Sequence, residues 1–168
     1  MSDRIKNKLI LEAKRIEEDA LYSFKGHHNA AESWKCVHYW VGIPTAIIAA
    51  VGSVSAFSEE SLIAGILGII VASLTALSTF LDPSGKQNNH KASGVEFGVL
   101  KNQARLFYEI DTSIENDINK LQKILKSLVL KRDELNSISP TIPRKAYLKA
   151  KKDIELGSNI YQVDMEAK

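Results

Sequence analysis

CVHYWVGIPTAIIAAVGSVSAFS (residues 36–58) and SLIAGILGIIVASLTALSTFL (residues 61–81) contain no Asp, Glu, Lys or Arg, and only Glu59 and Glu60 stand between them. At ~1.5 Å per residue, helices of these lengths reach roughly 30–35 Å, against a hydrocarbon core of about 30 Å. Two such runs joined by a short acidic turn predict an all-α membrane protein built on a two-span transmembrane helical hairpin.

Bulk composition conceals this. The chain is 45% hydrophobic and 25% charged, the values of an ordinary soluble domain, and this average hides the segregation of nearly all its charge into residues 1–35 and 82–168. No Gly/Ser or proline-rich linker divides it, so residues 1–168 read as a single domain. A formal net charge of +2 gives no case for a nucleic-acid partner. The one cysteine, Cys36, excludes an intramolecular disulfide and a cysteine-based metal cluster.

The flanks predict the topology. Arg4, Lys6, Lys8, Lys14, Arg15, Lys25 and Lys35 precede the first span; Lys86, Lys91, Lys101 and Arg105 follow the second; the turn carries only glutamates. Basic flanks stay in the cytoplasm, so both termini are expected there, with the Ser58–Ser61 turn facing out. Signal cleavage after Ser53-Val54-Ser55 is the competing interpretation. A long charged region before it and a second apolar span directly after it argue against cleavage.

Small residues recur every fourth position in both spans: Gly42, Ala46 and Ala50 in the first, Ala64, Gly68, Ala72 and Ala76 in the second. In lipid such stripes let backbones approach closely. One stripe is expected to pack the spans together and the other to meet a neighbouring copy. Pro44 removes a backbone hydrogen bond and predicts a kink. Thr75, Ser78, Thr79 and Asp82 form a polar face at the inner end of the second span. In an oligomer that face can line a hydrated path with a ring of Asp82 at its mouth. Alternatively, the hydroxyls bond back to carbonyls one turn earlier and Asp82-Pro83 ends the helix. Trp34, Tyr39 and Trp40 are placed as interfacial anchors, with His38 among them as a possible sensing residue. His27, His28, Cys36 and His38 match no standard metal-ligand spacing.

The remaining chain reads as helix. Residues 1–35 place Ile5, Leu9, Ile16, Ala20 and Phe24 on one face and run into the first span (36–58). After the second span (61–81), a long helix over 86–138 carries an apolar seam of Ile114, Ile118, Leu121, Leu125, Leu128 and Leu135. That seam can zip against the amino-terminal helix or against neighbours, and an antiparallel bundle or coiled coil of long cytoplasmic helices is the simplest packing. Ser139-Pro140-Thr141-Ile142-Pro143 redirects the chain into a short basic helix over 144–157 bearing Lys145, Lys149, Lys151 and Lys152, followed by a frayed tail. That helix either caps the bundle or lies on anionic headgroups. Asp111, Glu115 and Asp117 look like a solvated face of the long helix. Neither a catalytic constellation nor a cofactor or metal motif is present, so the chain is not read as an enzyme.

One further pattern spans residues 13–137: Gly26-His27, Asn29-Ala30-Ala31, Trp34, His38-Tyr39-Trp40, Gly42, Pro44, Phe80-Leu81, Pro83-Ser84 and the His90–Phe107 segment. In this order around two spans the chain resembles the SLATT family. These are two-transmembrane effectors that accompany nucleotide-synthase and SLOG sensor proteins in bacterial conflict systems. The resemblance implies a homo-oligomeric, pore-forming effector of the bacterial inner membrane that depolarises the cell on a cytoplasmic, nucleotide-linked signal. Because no sensor or enzyme domain is attached, it also implies a separately encoded synthase or sensor as partner, besides membrane lipids. The alternative is a non-conducting scaffold whose cytoplasmic helices recruit such a partner.

Overall fold

The computed structural model describes residues 2–58 and 61–163. Among them the regular elements are all helical, with no strand: α1 (Ser2–Phe57), α2 (Ser61–Leu81), α3 (Pro83–Leu106), a π-helical turn (Phe107–Asp111), the short α4 (Thr112–Ile114), α5 (Ile118–Ile138) and α6 (Arg144–Glu155). Two of these helical stretches are long and apolar enough to cross a membrane. Glu59 and Glu60, the expected outward turn, lie outside the described residues. The chain divides into two compact units, Ala31–Asn88 (the span unit) and Met1–Ala30 with Asn89–Lys168 (the core unit).

The core unit is organised by apolar side chains recurring every three or four residues. Ala13, Ile16 and Ala20 of α1, Phe97, Leu100 and Ala104 of α3, Phe107 of the π turn, and four leucines of α5 form one buried cluster. Alanines on α1 leave room for the phenylalanines and leucines of its neighbours, each contributing about 1.5–3 kcal/mol of burial. Lys6 Nζ donates to Glu115 O (3.4 Å), Tyr108 Oη donates to Glu17 Oε2 (2.8 Å), and His27 meets His90. Residue numbers rise along α1 as they fall along α3, so the two run antiparallel. Lys131 of α5 reaches back to Glu96 of α3 (3.3 Å).

The expected single helix over 86–138 is broken. It starts earlier, at Pro83, whose fixed φ and missing N–H suit the first helical position after a capping Asp82. It then loosens into the π turn and ends at Glu115, where ψ is 128°. Glu115 and Asp117 build the break rather than a solvated helix face. The Glu115 carboxylate accepts the N–H groups of Asn116 and Asp117 (both 2.9 Å) and pairs with Lys120 (3.0 Å). These bonds, led by the Asp117 N–H, hold its carboxyl below the usual carboxylate range. Asp117 caps α5 by accepting the Asn119 N–H at 2.9 Å. Asp117→Ala is therefore expected to cost about 1 kcal/mol, read as a lower midpoint of thermal unfolding.

The break also divides the predicted seam. Leu121, Leu125, Leu128 and Leu135 are buried and Ile118 is partly buried, whereas Ile114, ahead of the break, is 73% exposed. Ile5, expected on the core face of α1, is exposed as well, while Leu9 and Phe24 pack at the edge of the cluster.

α6 is shorter than the predicted 144–157. It buries Ala146 and Ala150, four residues apart, and leaves its lysines exposed. Asn29 Nδ2 donates to Ala146 O at 3.3 Å, and the rings of Tyr22 and Tyr147 lie 6.1 Å apart. Within the tail expected to fray, Ser158 and Tyr161 contact side chains of α1 and α3. Gly157 turns the chain at φ +79°, Lys25 bonds Ser158, and Tyr161 stacks under the Arg105 guanidinium (4.9 Å) while its hydroxyl accepts from Lys101 (3.3 Å).

Candidate functional site

Two places carry groups beyond simple packing, one in each unit. In the span unit, α1 and α2 meet along partly buried lines: Val41, Thr45, Ile48 and Gly52 on one helix, Leu67, Val71, Leu74 and Ser78 on the other. The approach is close at Gly52, where an added Cβ would lie 3.2 Å from Leu67 Cβ. Only glycine gives this depth without displacing the leucine.

The small-residue stripes are not that contact. Gly42, Ala46 and Ala50 are exposed, as are Gly68, Ala72 and Ala76; only Ala64 is partly buried. Nothing lies within 4 Å of a Cβ built at Gly42 or Gly68. The glycines of the stripes, expected to pack the spans together or to meet a neighbouring copy, lie outside this contact. The contact instead seats the Leu67 side chain of α2 against Gly52, where dispersion contacts are greater than between alanines.

The predicted polar face is brought together only in part. Thr75, Thr79 and Asp82 are exposed, whereas Ser78 turns toward the α1–α2 contact. Thr79 Oγ1 donates to Thr75 O at 2.9 Å. Asp82 adopts φ +40°, and its Oδ1 accepts the Gly85 N–H at 3.0 Å. Its main chain closes α2 through Asp82 N–H to Ser78 O and opens α3 through Lys86 N–H to Asp82 O, both 3.0 Å. Asp82 is thus the joint between two helices.

Trp34 is partly buried with the Lys86 ammonium 4.5 Å over its ring, whereas Tyr39 and Trp40 are 51% and 76% exposed. Tyr39, Trp40, Ile43 and Pro44 line a shallow apolar hollow. α1 stays helical through Pro44, and Thr45 Oγ1 donates to Val41 O at 2.7 Å. His38 is exposed, its ring tilted 5.6 Å from that of Tyr39.

The core unit contains a group that sequence reading missed. His27 and His90 are 2% and 4% exposed, and their Nδ1 atoms lie 3.0 Å apart. The His27 ring stacks on Phe97 at 5.5 Å. Beside them Gly94 admits His28, whose ring a Cβ at that position would meet at 3.1 Å. A contact between two imidazole nitrogens requires one to carry hydrogen and the other to be bare. Burial first, then the His90 and His28 charges, push His27 down to about 4; burial also lowers His90. The pair is therefore neutral at pH 7.

His27 and His90 are 63 residues apart, which is why spacing rules could not join them. The available signal was periodic. His27 continues the Ala13, Ile16, Ala20 face of α1, and His90 precedes Gly94 and Phe97 on the inner face of α3. Among the described residues no three His, Cys, Asp or Glu side chains converge on a metal-sized site. Comparison with protein-family models, curated protein sequences and solved structures returned no match.

Proposed function

We propose that this chain is a two-span membrane protein whose hairpin, with both termini cytoplasmic, anchors an antiparallel bundle of cytoplasmic helices in a bacterial inner membrane. The carrying observation is exposure: none of the most apolar window of either long helix is buried. In water such a surface drives aggregation; in lipid it is the ordinary solvent-facing side. The basic flanks, acidic turn and aromatic residues near Trp34 agree with that placement.

On this basis, and on the resemblance to the SLATT family, the protein is an effector of a bacterial conflict system. It oligomerises, and a cytoplasmic signal from a separately encoded nucleotide synthase or sensor shifts the assembly to a conducting packing that depolarises the cell. The exposed stripes through Gly42 and Gly68 are open to neighbouring copies. Thr75, Thr79 and Asp82 would line the path, with Ser78 at its edge. Nucleic acid is not a partner in this scheme.

The scaffold alternative draws on one observation. The Thr79 hydroxyl and the Asp82 carboxylate already have local partners, as in a helix end with no further duty. Ion flux into liposomes containing the purified protein, with and without the cognate signal, separates the two. Conduction is expected, and it is expected to fall in the combined Thr75→Val, Ser78→Val and Thr79→Val variant while partner recruitment persists. Gly68→Leu or Ala72→Leu should abolish flux by filling the stripe. Flux absent from the signalled wild type, with recruitment intact, establishes the scaffold.

A further inference from the structure

The α5 leucines, a seam expected to zip against the amino-terminal helix or against neighbours, are consumed in the core with α1. A second apolar line of the same unit faces outward. Ala92, Val95, Val99, Asn102 and Leu106 succeed each other in steps of three and four along α3. At 100° per residue they lie opposite Phe97, Leu100 and Ala104, the residues that α3 gives to the core. Val95, Val99 and Leu106 are 51%, 44% and 50% exposed, and Ala92 and Asn102 are exposed too. Beyond Leu106 the pitch changes in the π turn, and the next apolar residues exposed outside the core are Ile110 and Ile114.

Heptad spacing of this kind is the pattern of a coiled-coil seam, and its flanks indicate the occupant. With Ala92, Val99 and Leu106 at the first core position and Val95 and Asn102 at the second, Lys91 and Glu96 flank the seam five residues apart. In a parallel, in-register pair of identical helices that spacing sets Lys91 of one copy against Glu96 of the other, on both sides, the Glu96 carboxylate being shared with Lys131 of its own chain. Asn102 then faces its own counterpart at the second core position, where the two amides can bond each other.

We propose that the outer face of α3 is a parallel, in-register contact with α3 of a second copy of this chain. The parallel sense rests on the membrane reading above, since hairpins inserted the same way present α3 on the same side. Two heptads are too short to associate firmly when free in water. Tethering both copies to one bilayer raises their effective concentration and removes much of that penalty.

The test uses the full chain with Cys36→Ser in vesicles, carrying Val99→Cys or, on the outer face of α5, Lys123→Cys. Oxidation is expected to give a covalent dimer at position 99 and not at 123. Lys91→Glu should suppress the dimer by setting like charges together, and adding Glu96→Lys with Lys131→Glu, which keeps the pair within the chain, should restore it. No dimer at 99, equal dimer at both positions, or indifference to Lys91→Glu overturns the seam. Alkaline extraction of the same vesicles reports insertion independently. Protein that stays in the bilayer without cross-linking refutes the seam alone; protein released refutes the membrane reading and the seam with it.

Discussion

Phe107→Ala is expected to destabilise the core unit by about 3–5 kcal/mol, whereas Ile114→Ala, seven residues later, should change it by no more than about 0.5 kcal/mol. Phe107 is fully buried and opens the π turn, at a point where α1, α3 and α5 all contribute to the cluster. Removing its ring loses the transfer free energy of the ring and leaves a cavity. The surrounding helices close that cavity only in part, with Tyr108, the next residue, held to Glu17 through its hydroxyl. Ile114 is 73% exposed in the last turn before the Glu115 break. An uninterrupted helix with Ile114 in the seam would make its truncation costly too. Amide hydrogen exchange across α3 and α5 distinguishes these cases, since accelerated exchange should accompany the first variant only. Equal acceleration in both would contradict the break.

Acid should weaken the same unit through the histidine pair. His27 binds its proton near 4 in the folded chain and near 6.5 when unfolded. A lowered folded value means that unfolding takes up a proton. The stability is fully present above about pH 6.5 and is lost as pH falls toward 4. At 1.36 kcal/mol per pH unit, the full span amounts to roughly 3 kcal/mol, and His90 acts in the same direction. Two protonated imidazoles would also point hydrogen at hydrogen across 3.0 Å.

The measurement is unfolding free energy between pH 7.5 and 5, above the range where carboxylates such as Glu115 titrate. The wild type is compared with a His27→Leu, His90→Leu double variant. Replacing both partners with apolar groups leaves no orphaned polar atom. The wild type should lose stability over this interval and the double variant should stay nearly flat. Parallel profiles would show that the pair does not govern the acid response.

Legibility in the sequence followed distance along the chain. The two long apolar helices were plain because the absence of charge over residues 36–58 and 61–81 is a property of contiguous residues. The inward turn of Leu121, Leu125, Leu128 and Leu135 was plain because their spacing sets one helical face. The break at Glu115–Asp117 was local too and could have been read. Asp117 ahead of an apolar run is a capping signal as well as a surface charge. The His27–His90 contact had no local sign beyond periodicity. Small residues marked where backbones can approach, yet Gly52 became the contact and Gly68 stayed open.

By itself, then, the sequence determined what depends on neighbours in the chain: two uncharged helices flanked by basic segments, a helix end at Asp82, and the alternation of buried and exposed positions. Tertiary structure alone decided which faces meet. It placed Leu67 against Gly52, closed α3 and α5 on α1, paired two histidines inside the core, and left the Ala92–Leu106 line outside. The reason is physical. Helical periodicity fixes which residues share a face, but the pairing of faces minimises voids and unpaired polar atoms over the whole unit. That sum includes residues far apart in sequence.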